Sequence, residues 1–578
     1  MNTTVQRIYA GFYQPAIEDE LTLIRRFLIA DVYARFFESR GDSVVFGIGA
    51  EVGERGIDDV DHMRLRLEGL GLSCDWSRTV VSSDPEHLLL TQTMFLLLLE
   101  RNLIYRRNQQ NGSEASALRW IARTNRFAEQ CNLDLTEPPG WNAGAMATQR
   151  AALGAIDGVE IRAVIPGLGD LLVFTPHPDS LAQAAFVSVS PNHPEVGTFT
   201  PDVDQAQLVN GGAAATETSL QVAVPGVDEL LPLVVAPSVD ARFGPTAVLG
   251  IPSEDEVDRQ IAKQLKPAPG IPLGSMRINS KPSASRRSRL PDLAVTHDKP
   301  WGAPVPMVHC PQCGPVPVPA ADLPLQDDAA IDRDCPQCGG PASRDPGRID
   351  EQFSSLWMWP SICGGKEWES ASLVVWDDTN SEQLLWQRVA GYMLQEDEPF
   401  ARVLVHGSLD GGPPGDAIEI VDDLDERVAR SGPDAVRFAI LNAGSPGRST
   451  HLYEHLVKHA ERFISEAIAL AERVKSRNRP APKQIDLSTR SRRRLAAWSR
   501  TATEKVAAHL DQMEIHKATY DLILFQRRIL EFESRHLENG GLDDADWDAL
   551  ALALVDLGRL AEPFVPELAA KLQELSQD

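Results

Sequence analysis

Cysteine is scarce in this chain of 578 residues: seven in all, four of them gathered as Cys310, Cys313, Cys335 and Cys338, with Cys74, Cys131 and Cys363 standing alone. So thin a supply excludes a disulfide scaffold, and two Cys-x-x-Cys pairs point instead to a metal site in a reducing compartment. Long hydrophobic runs are also missing. The longest, Met94 to Leu99 with Leu88 to Leu90 before it, is too short to span a bilayer. The opening MNTTVQRIYAGFY has no apolar h-region and no cleavage signal, so the expectation is a cytoplasmic protein with no membrane partner. Basic residues are outnumbered, 56 Lys and Arg against 82 Asp and Glu, for a formal charge of -26. That balance disfavours a chain that grips nucleic acid along its whole surface, although a local basic patch can still do so.

The composition is otherwise that of a globular protein, 43% hydrophobic and 24% charged. At this length one core does not suffice, and three or four domains are expected. The sharpest charge reversal runs from Arg473 to Arg500, where ten basic residues face the single Asp486.

Residues 5 to 10 and 43 to 48 are short apolar runs that predict buried parallel strands. Between them Leu21, Ile24, Leu28 and Val32 recur at helical spacing, and Gly41 stands where a helix C-terminus favours glycine. This order predicts a βαβ unit and an α/β core. Asp84 followed by Pro85 predicts the cap and first residue of another helix. From Val159 to about Pro269 the runs EIRAVI, LLVF, FVSVS, LQVAV, LPLVV and TAVLGI predict a compact β-rich insertion. Residues 270 to 300 read as a linker or a mobile crossover. Helices are predicted near 450 to 475, 488 to 512, 516 to 537 and 543 to 575.

The stretch CDWSR followed by DPEHLLLTQTMFLLLLERNLIYRR closely resembles leucyl-tRNA synthetases of class I, and so do WGAPVPMVHCPQCG and GPDAVRFAILNAGSP. The resemblance implies a split Rossmann-type core in residues 1 to 118 and 350 to 448, joined by a connector over 119 to 157. An editing-like insertion would fill 158 to 270, a linker and zinc ribbon 271 to 349, and an anticodon-binding-like helical bundle 449 to 578. The family's zinc knuckle is reduced to a short polar link, Asn108 to Ala117.

The residues that carry the family's chemistry are replaced. Ungapped alignment of DVYARFFESRG places Glu20, Leu21, Thr22 and Leu23 at the His-x-Gly-His signature, whose donors steady the phosphates of ATP. A carboxylate there repels a triphosphate. Pro413, Pro414, Gly415, Asp416 and Ala417 fall on the Lys-Met-Ser-Lys-Ser signature, and no lysine lies between residues 367 and 457. Trp376, Asp377, Asp378, Thr379 and Asn380 fall on the Gly-Gly-x-Glu-His segment. Any compensating cations would have to come from elsewhere, such as Arg25 and Arg26. ATP is therefore not expected to serve in the family's manner. Glu51 stands where the family binds the substrate α-ammonium, and Glu20 and Glu51 are the expected substrate-binding carboxylates of the remodelled pocket.

In the insertion, Thr175, Pro176, His177, Pro178, Asp179 and Ser180 match the editing motif, and Gly244 to Asp258 match a second one. Thr175, Ser180 and Asp258 are the expected hydrolytic site, Asp258 holding the amino group of a misattached amino acid. The four cysteines, with 21 residues between the pairs, have the spacing of a closed tetrahedral zinc site, structural in role. In the bundle, Arg490, Arg492, Arg493, Arg494 and Arg500 with Trp498 are the expected RNA contacts. Several readings follow. One is a paralogue recruited to bind an amino acid, a nucleotide-like molecule, or tRNA or aminoacyl-tRNA. Another is an aminoacyl-tRNA deacylase working through the insertion. The rest are a residual leucine-tRNA ligase and a non-catalytic partner of another protein.

Overall fold

The computed structural model describes residues 4–13, 20–51, 58–109, 117–133, 141, 143–154, 156–191, 193–200, 215–243, 246–265, 271–272, 281–287, 290–326, 332–364, 369–395, 398–410, 424–477, 486–538 and 540–576. The α/β core is a four-stranded parallel sheet. β1 (Val5–Tyr9) is followed by α1 (Glu20–Ser39) and β2 (Ser43–Phe46). After the insertions come β3 (Leu373–Asp377), α2 (Ser381–Gln395) and β4 (Val403–His406), and the sheet order is β4-β3-β1-β2. Ile8 sits opposite both Phe46 and Leu373, so β1 is the strand from which the two halves diverge. Gly41, at φ +88°, ends α1 as expected.

α1 is buried nearly all round rather than on one face, because the sheet covers one side and the helical region the other. A helix so enclosed must pair every charge it carries. It does so with Asp31, which takes Arg35, Arg437 and the amide and hydroxyl of Ser73.

The predicted strands of the insertion form one eight-stranded mixed sheet. The expected linker over 270 to 300 is corrected in part: Ser283–Arg287 is an edge strand antiparallel to Ile156–Ile165, and Leu293–Ala294 pairs with the Ala117–Ala122 strand. The first extends the insertion's own sheet, and the second joins a sheet outside it. Asp84 does precede the helix Pro85–Glu100, but its carboxylate accepts from the Val81 amide instead of capping the helix.

The C-terminal region is helical: α3 (Pro433–Leu441), α4 (Glu454–Lys475), α5 (Arg490–Asp511), α6 (Ile515–Glu538), α7 (Asp544–Ala561) and α8 (Pro566–Gln573). The expected helix over 543 to 575 is two, interrupted between Ala561 and Pro566, since Pro563 and Pro566 cannot donate to a continuing helix. In α4, Val457, Ala460, Phe463, Ala467, Leu470 and Val474 form the buried stripe, and Phe463 stacks on Phe438 of α3 at 4.9 Å. One apolar cluster runs from Ile8 of the sheet to Leu575, so bundle and core share an interior. Among the described residues no helix is long and apolar enough to cross a membrane.

Candidate functional site

In an open parallel sheet, ligands bind beyond the carboxyl ends of the strands where the strand order reverses. Here that crevice lies between the ends of β1 and β3. On one side is Gly11, at φ +69°; on the other are Trp376 and Asp377. A β-carbon added to Gly11 would lie 2.9 Å from the Trp376 ring and 3.3 Å from the Arg26 guanidinium. Among the described residues, Trp376 and Arg26 thus occupy the space beside Gly11.

These side chains are locked together. Arg26 donates to Asp377 at 2.8 Å and to the Phe12 carbonyl at 2.9 Å, and lies 5.4 Å from the Trp376 ring. Asp377 also accepts the amides of Thr379 and Asn380. Burial alone would raise its carboxyl, but Arg26, His406 and these hydrogen bonds outweigh it and hold the group below its ordinary range. Trp376 donates its indole N–H to the Asn380 carbonyl at 2.8 Å. Arg25 spends its guanidinium on the Gly407 and Ala443 carbonyls at 3.2 and 3.1 Å, and burial draws it down to about 10. Burial, with Arg25 nearby, pushes the His406 imidazole down to about 3. Neither Arg25 nor Arg26 therefore stands free as a substitute phosphate donor.

At the signature positions, Glu20 begins α1 and pairs with Arg66, which also holds Asp425 at 2.9 Å. Thr22 bonds both the amide and the carbonyl of Leu409. The segment Pro413 to Ala417 lies outside the described residues.

Glu51 lines a different cavity, of about 570 Å³, with Ser82, Leu88, Trp301 and Glu351 among its walls; Glu20 is not among them. The structure thus separates the two expected substrate carboxylates. Glu51 is 5% exposed and its Oε2 has no hydrogen-bond partner among the described residues. Burial, reinforced by Glu351 and Asp350, raises its carboxyl well above the ordinary range despite a hydrogen bond from Ser82. The neighbouring acids are better served. Glu351 is approached by His297 Nε2 at 3.4 Å and by the Trp301 indole, and such contacts outweigh burial to hold it at about 2. His297, Asp350 and Glu351 have ligand atoms within 4.8 Å of one another. They do not fit a metal: His297 Nδ1 accepts the Lys299 amide at 3.2 Å, which leaves the proton on Nε2, the nitrogen facing Glu351.

The four cysteine sulfurs also lie within 4.8 Å of one another, at the knuckles of two hairpins. Cys310 and Cys338 sulfurs are 3.6 Å apart, close to the ~3.8 Å that tetrahedral Zn–S bonds of about 2.3 Å dictate. The amides of Cys313 and Gln312 draw the Cys310 thiol down to about 7, as a thiolate ligand requires. Glycines with positive φ, Gly314 and Gly339, turn each knuckle. The cluster is consistent with structural zinc.

In the insertion, Asp258 is buried with one oxygen taken by Arg242 at 2.8 Å and the other by the Ile251 amide at 2.9 Å. The cation it holds is Arg242. Thr175 is buried and accepts the His177 amide, and Ser180 donates to Glu254 at 2.7 Å. Asp258 thus holds a protein cation where the hydrolytic reading needs it to hold a ligand's amino group.

In the bundle the five expected arginines separate. Arg492 is buried and bound to Asp486, Asp543 and Asp546, so it is corrected from an RNA contact to a structural one. Arg493 donates to the Leu487 and Ser488 carbonyls. Arg490, Arg494 and Arg500 are exposed, with no carboxylate partner among the described residues.

No family model matches the chain. It is 27% identical to the leucine–tRNA ligase of Halorhodospira halophila over 76% of this chain and 70% of that one. It is 25% identical to that of Parasynechococcus marenigrum over 95% and 84%. Its fold matches the agnB2 LeuRS of Agrobacterium radiobacter, solved with tRNA and LeuAMS, with a TM-score of 0.69 and 21% identity over 100% of this chain and 85% of that one. The chain is thus similar in sequence to leucine–tRNA ligases and has the fold of a class I aminoacyl-tRNA synthetase. A second class I fold, Mycobacterium tuberculosis methionyl-tRNA synthetase, matches with a TM-score of 0.56 and 13% identity over 99% and 94%. The synthetase-like chain therefore has the expected fold, with α/β core, β-rich insertion, cysteine ribbon and helical C-terminal region. The interlock of Arg26, Trp376 and Asp377 is not foreseen in the sequence. The available signal was the adjacent pair Arg25 and Arg26 flanked by Leu21, Leu23, Ile24, Phe27, Leu28 and Ile29, a charged pair that had to find partners.

Proposed function

We propose that this synthetase-like protein binds tRNA and does not make leucyl-adenylate by the ATP chemistry of its class. The observation that carries the reading is that Trp376 and Arg26 leave no room for a side chain at Gly11, beside the strand ends where such folds seat a nucleotide. A triphosphate entering there would have to displace a buried ring and break a buried ion pair, and it would meet Glu20 rather than a donor. The Glu51 cavity supports a retained seat for an amino group, since a buried carboxylate with an unused oxygen gains from a paired ammonium. Relatives named as leucine–tRNA ligases, and a neighbouring structure in complex with tRNA, support tRNA as the partner. Amino-acid-dependent pyrophosphate exchange tests the first half: none is expected with any common amino acid, and robust leucine-dependent exchange would overturn it. Fluorescence anisotropy with labelled tRNA tests the second.

A further inference from the structure

Between α5 and α6 lies a cavity of about 500 Å³ whose chemistry differs from the rest of this acidic protein. Its α5 wall is a single stripe at four-residue spacing, Arg490, Arg494 and Trp498; its α6 wall carries Phe532, Arg535 and His536. The one carboxylate in the lining among the described residues, Glu531, is engaged by Arg528 at 2.8 Å and Arg535 at 3.7 Å. Several other cations of the same basic stretch are paired with acids: Arg473 with Glu533, Lys475 with Glu574, Arg477 with Asp544, and Arg492 with three aspartates. Arg490 and Arg494 stand out as cations without a carboxylate among the described residues. They sit in the first turns of a 22-residue helix that has no acid in its first turn, so the helix dipole adds to their positive potential.

The floor supplies a second kind of recognition. Phe532 is buried, and the half-buried Trp498 ring carries the guanidinium of Arg494 at 4.9 Å and of Arg528 at 5.3 Å. Those contacts hold two cations over an aromatic surface, an arrangement that suits a ligand with a flat ring at one end and a charge of the opposite sign at the other. A bare inorganic anion would leave the aromatic floor unused. An apolar ligand would leave the arginines unpaired.

We propose that this cavity seats one nucleoside monophosphate unit, its base against Trp498 and Phe532 and its phosphate on Arg490 and Arg494. The unit is either part of a bound RNA or a free nucleotide. The RNA source rests on the tRNA-binding reading above; the cavity chemistry does not.

Two measurements on the full-length protein test it: anisotropy with labelled tRNA across a salt series, and quenching of tryptophan emission by AMP, with Trp498→Phe identifying the responding ring. The variants are Arg490→Ala with Arg494→Ala, Trp498→Ala, and the exposed Arg462→Ala with Lys458→Ala as a control of equal charge on the same bundle. If the unit belongs to RNA, the paired arginine variant weakens tRNA binding and lowers the log–log salt slope by about 2, one for each lost phosphate contact. Trp498→Ala then weakens it about tenfold, and the control does neither. If wild-type protein binds no tRNA but AMP quenches Trp498 in an arginine-dependent way, the tRNA reading fails and the cavity proposal stands with a free nucleotide. AMP without effect, together with arginine variants that match the charge control, overturns it.

Discussion

Arg437 of α3 reaches into the middle of α1 to hold Asp31, and both side chains are completely withdrawn from solvent. The same guanidinium donates to the Pro563 and Phe564 carbonyls, just before α8. One residue thus ties the α/β core, the start of the helical region and its end. Burial would raise the Asp31 carboxyl, but Arg437, Arg35 and Ser73 together hold it below its usual range. Arg437→Ala leaves that carboxylate short of its buried partner and is expected to cost about 3–5 kcal/mol of stability. Urea denaturation monitored by circular dichroism measures it, and a loss under 1 kcal/mol would show that Arg35 alone suffices.

The crevice makes a paired prediction. Arg26→Met strands Asp377 in the interior and is expected to destabilise by about 3–5 kcal/mol, whereas Arg26→Met with Asp377→Leu recovers much of that loss, because a buried pair can be replaced by apolar side chains at little cost. A double-mutant cycle by denaturant titration gives the answer. Simple additivity of the two losses would mean the ion pair is not a unit.

The cysteine cluster predicts about one zinc per chain by native mass spectrometry of protein purified without chelator. Cys313→Ser is expected to lower zinc content and to destabilise the ribbon, because an incomplete thiolate set binds more weakly. Full zinc occupancy in that variant would exclude Cys313 as a ligand.

Acid sensitivity follows from two buried histidines. His87 is drawn down to about 4 by burial, while its ring contacts the Ser354 carbonyl and the Ser361 hydroxyl; His406 is drawn down further. Both are neutral in the folded chain and protonate near pH 6.5 when unfolded. The unfolded state therefore binds more protons below about pH 6.5, and stability falls as pH drops from there through about 4. Thermal melts at stepped pH are expected to show this decline. His87→Gln should flatten it, and an unchanged slope would acquit His87.

The hydrolytic motif makes a negative prediction. Arg242→Ala frees Asp258 from its cation, and the parent protein, with Arg242 in place, is expected to leave mischarged tRNA intact in a deacylation assay. Rapid hydrolysis by the parent would show that an Asp258 bound to Arg242 can still serve.

Much of the fold was legible because it is written in local periodicity. The strand, helix, strand order at the N-terminus, the short strands of the insertion and the helical bundle all follow from spacing that depends on neighbours in sequence. The cysteine cluster was legible because ligand spacing within each hairpin is local too. The contents of the crevice were not: Arg26 and Asp377 are 351 positions apart, and nothing near either announces the other. Asp258 looked like a free carboxylate because Arg242, one helix earlier, carries no motif. The division of the basic stretch could have been read. Arg492 shares the stripe of Leu495, Ser499, Ala502 and Val506, all buried, while Arg490, Arg494 and Trp498 fall off it.

Gly11 carries a further consequence, for reversibility. On the reading proposed above, reopening the crevice to a nucleotide would take a smaller side chain at 376 and new partners for both Arg26 and Asp377. Taken singly, each leaves a buried charge unpaired or a void beneath a guanidinium, so every first step lowers stability before any activity can return. On the same reading, descent from an adenylating ancestor would in that sense be a ratchet, because the way back would cross a barrier raised by the packed interior.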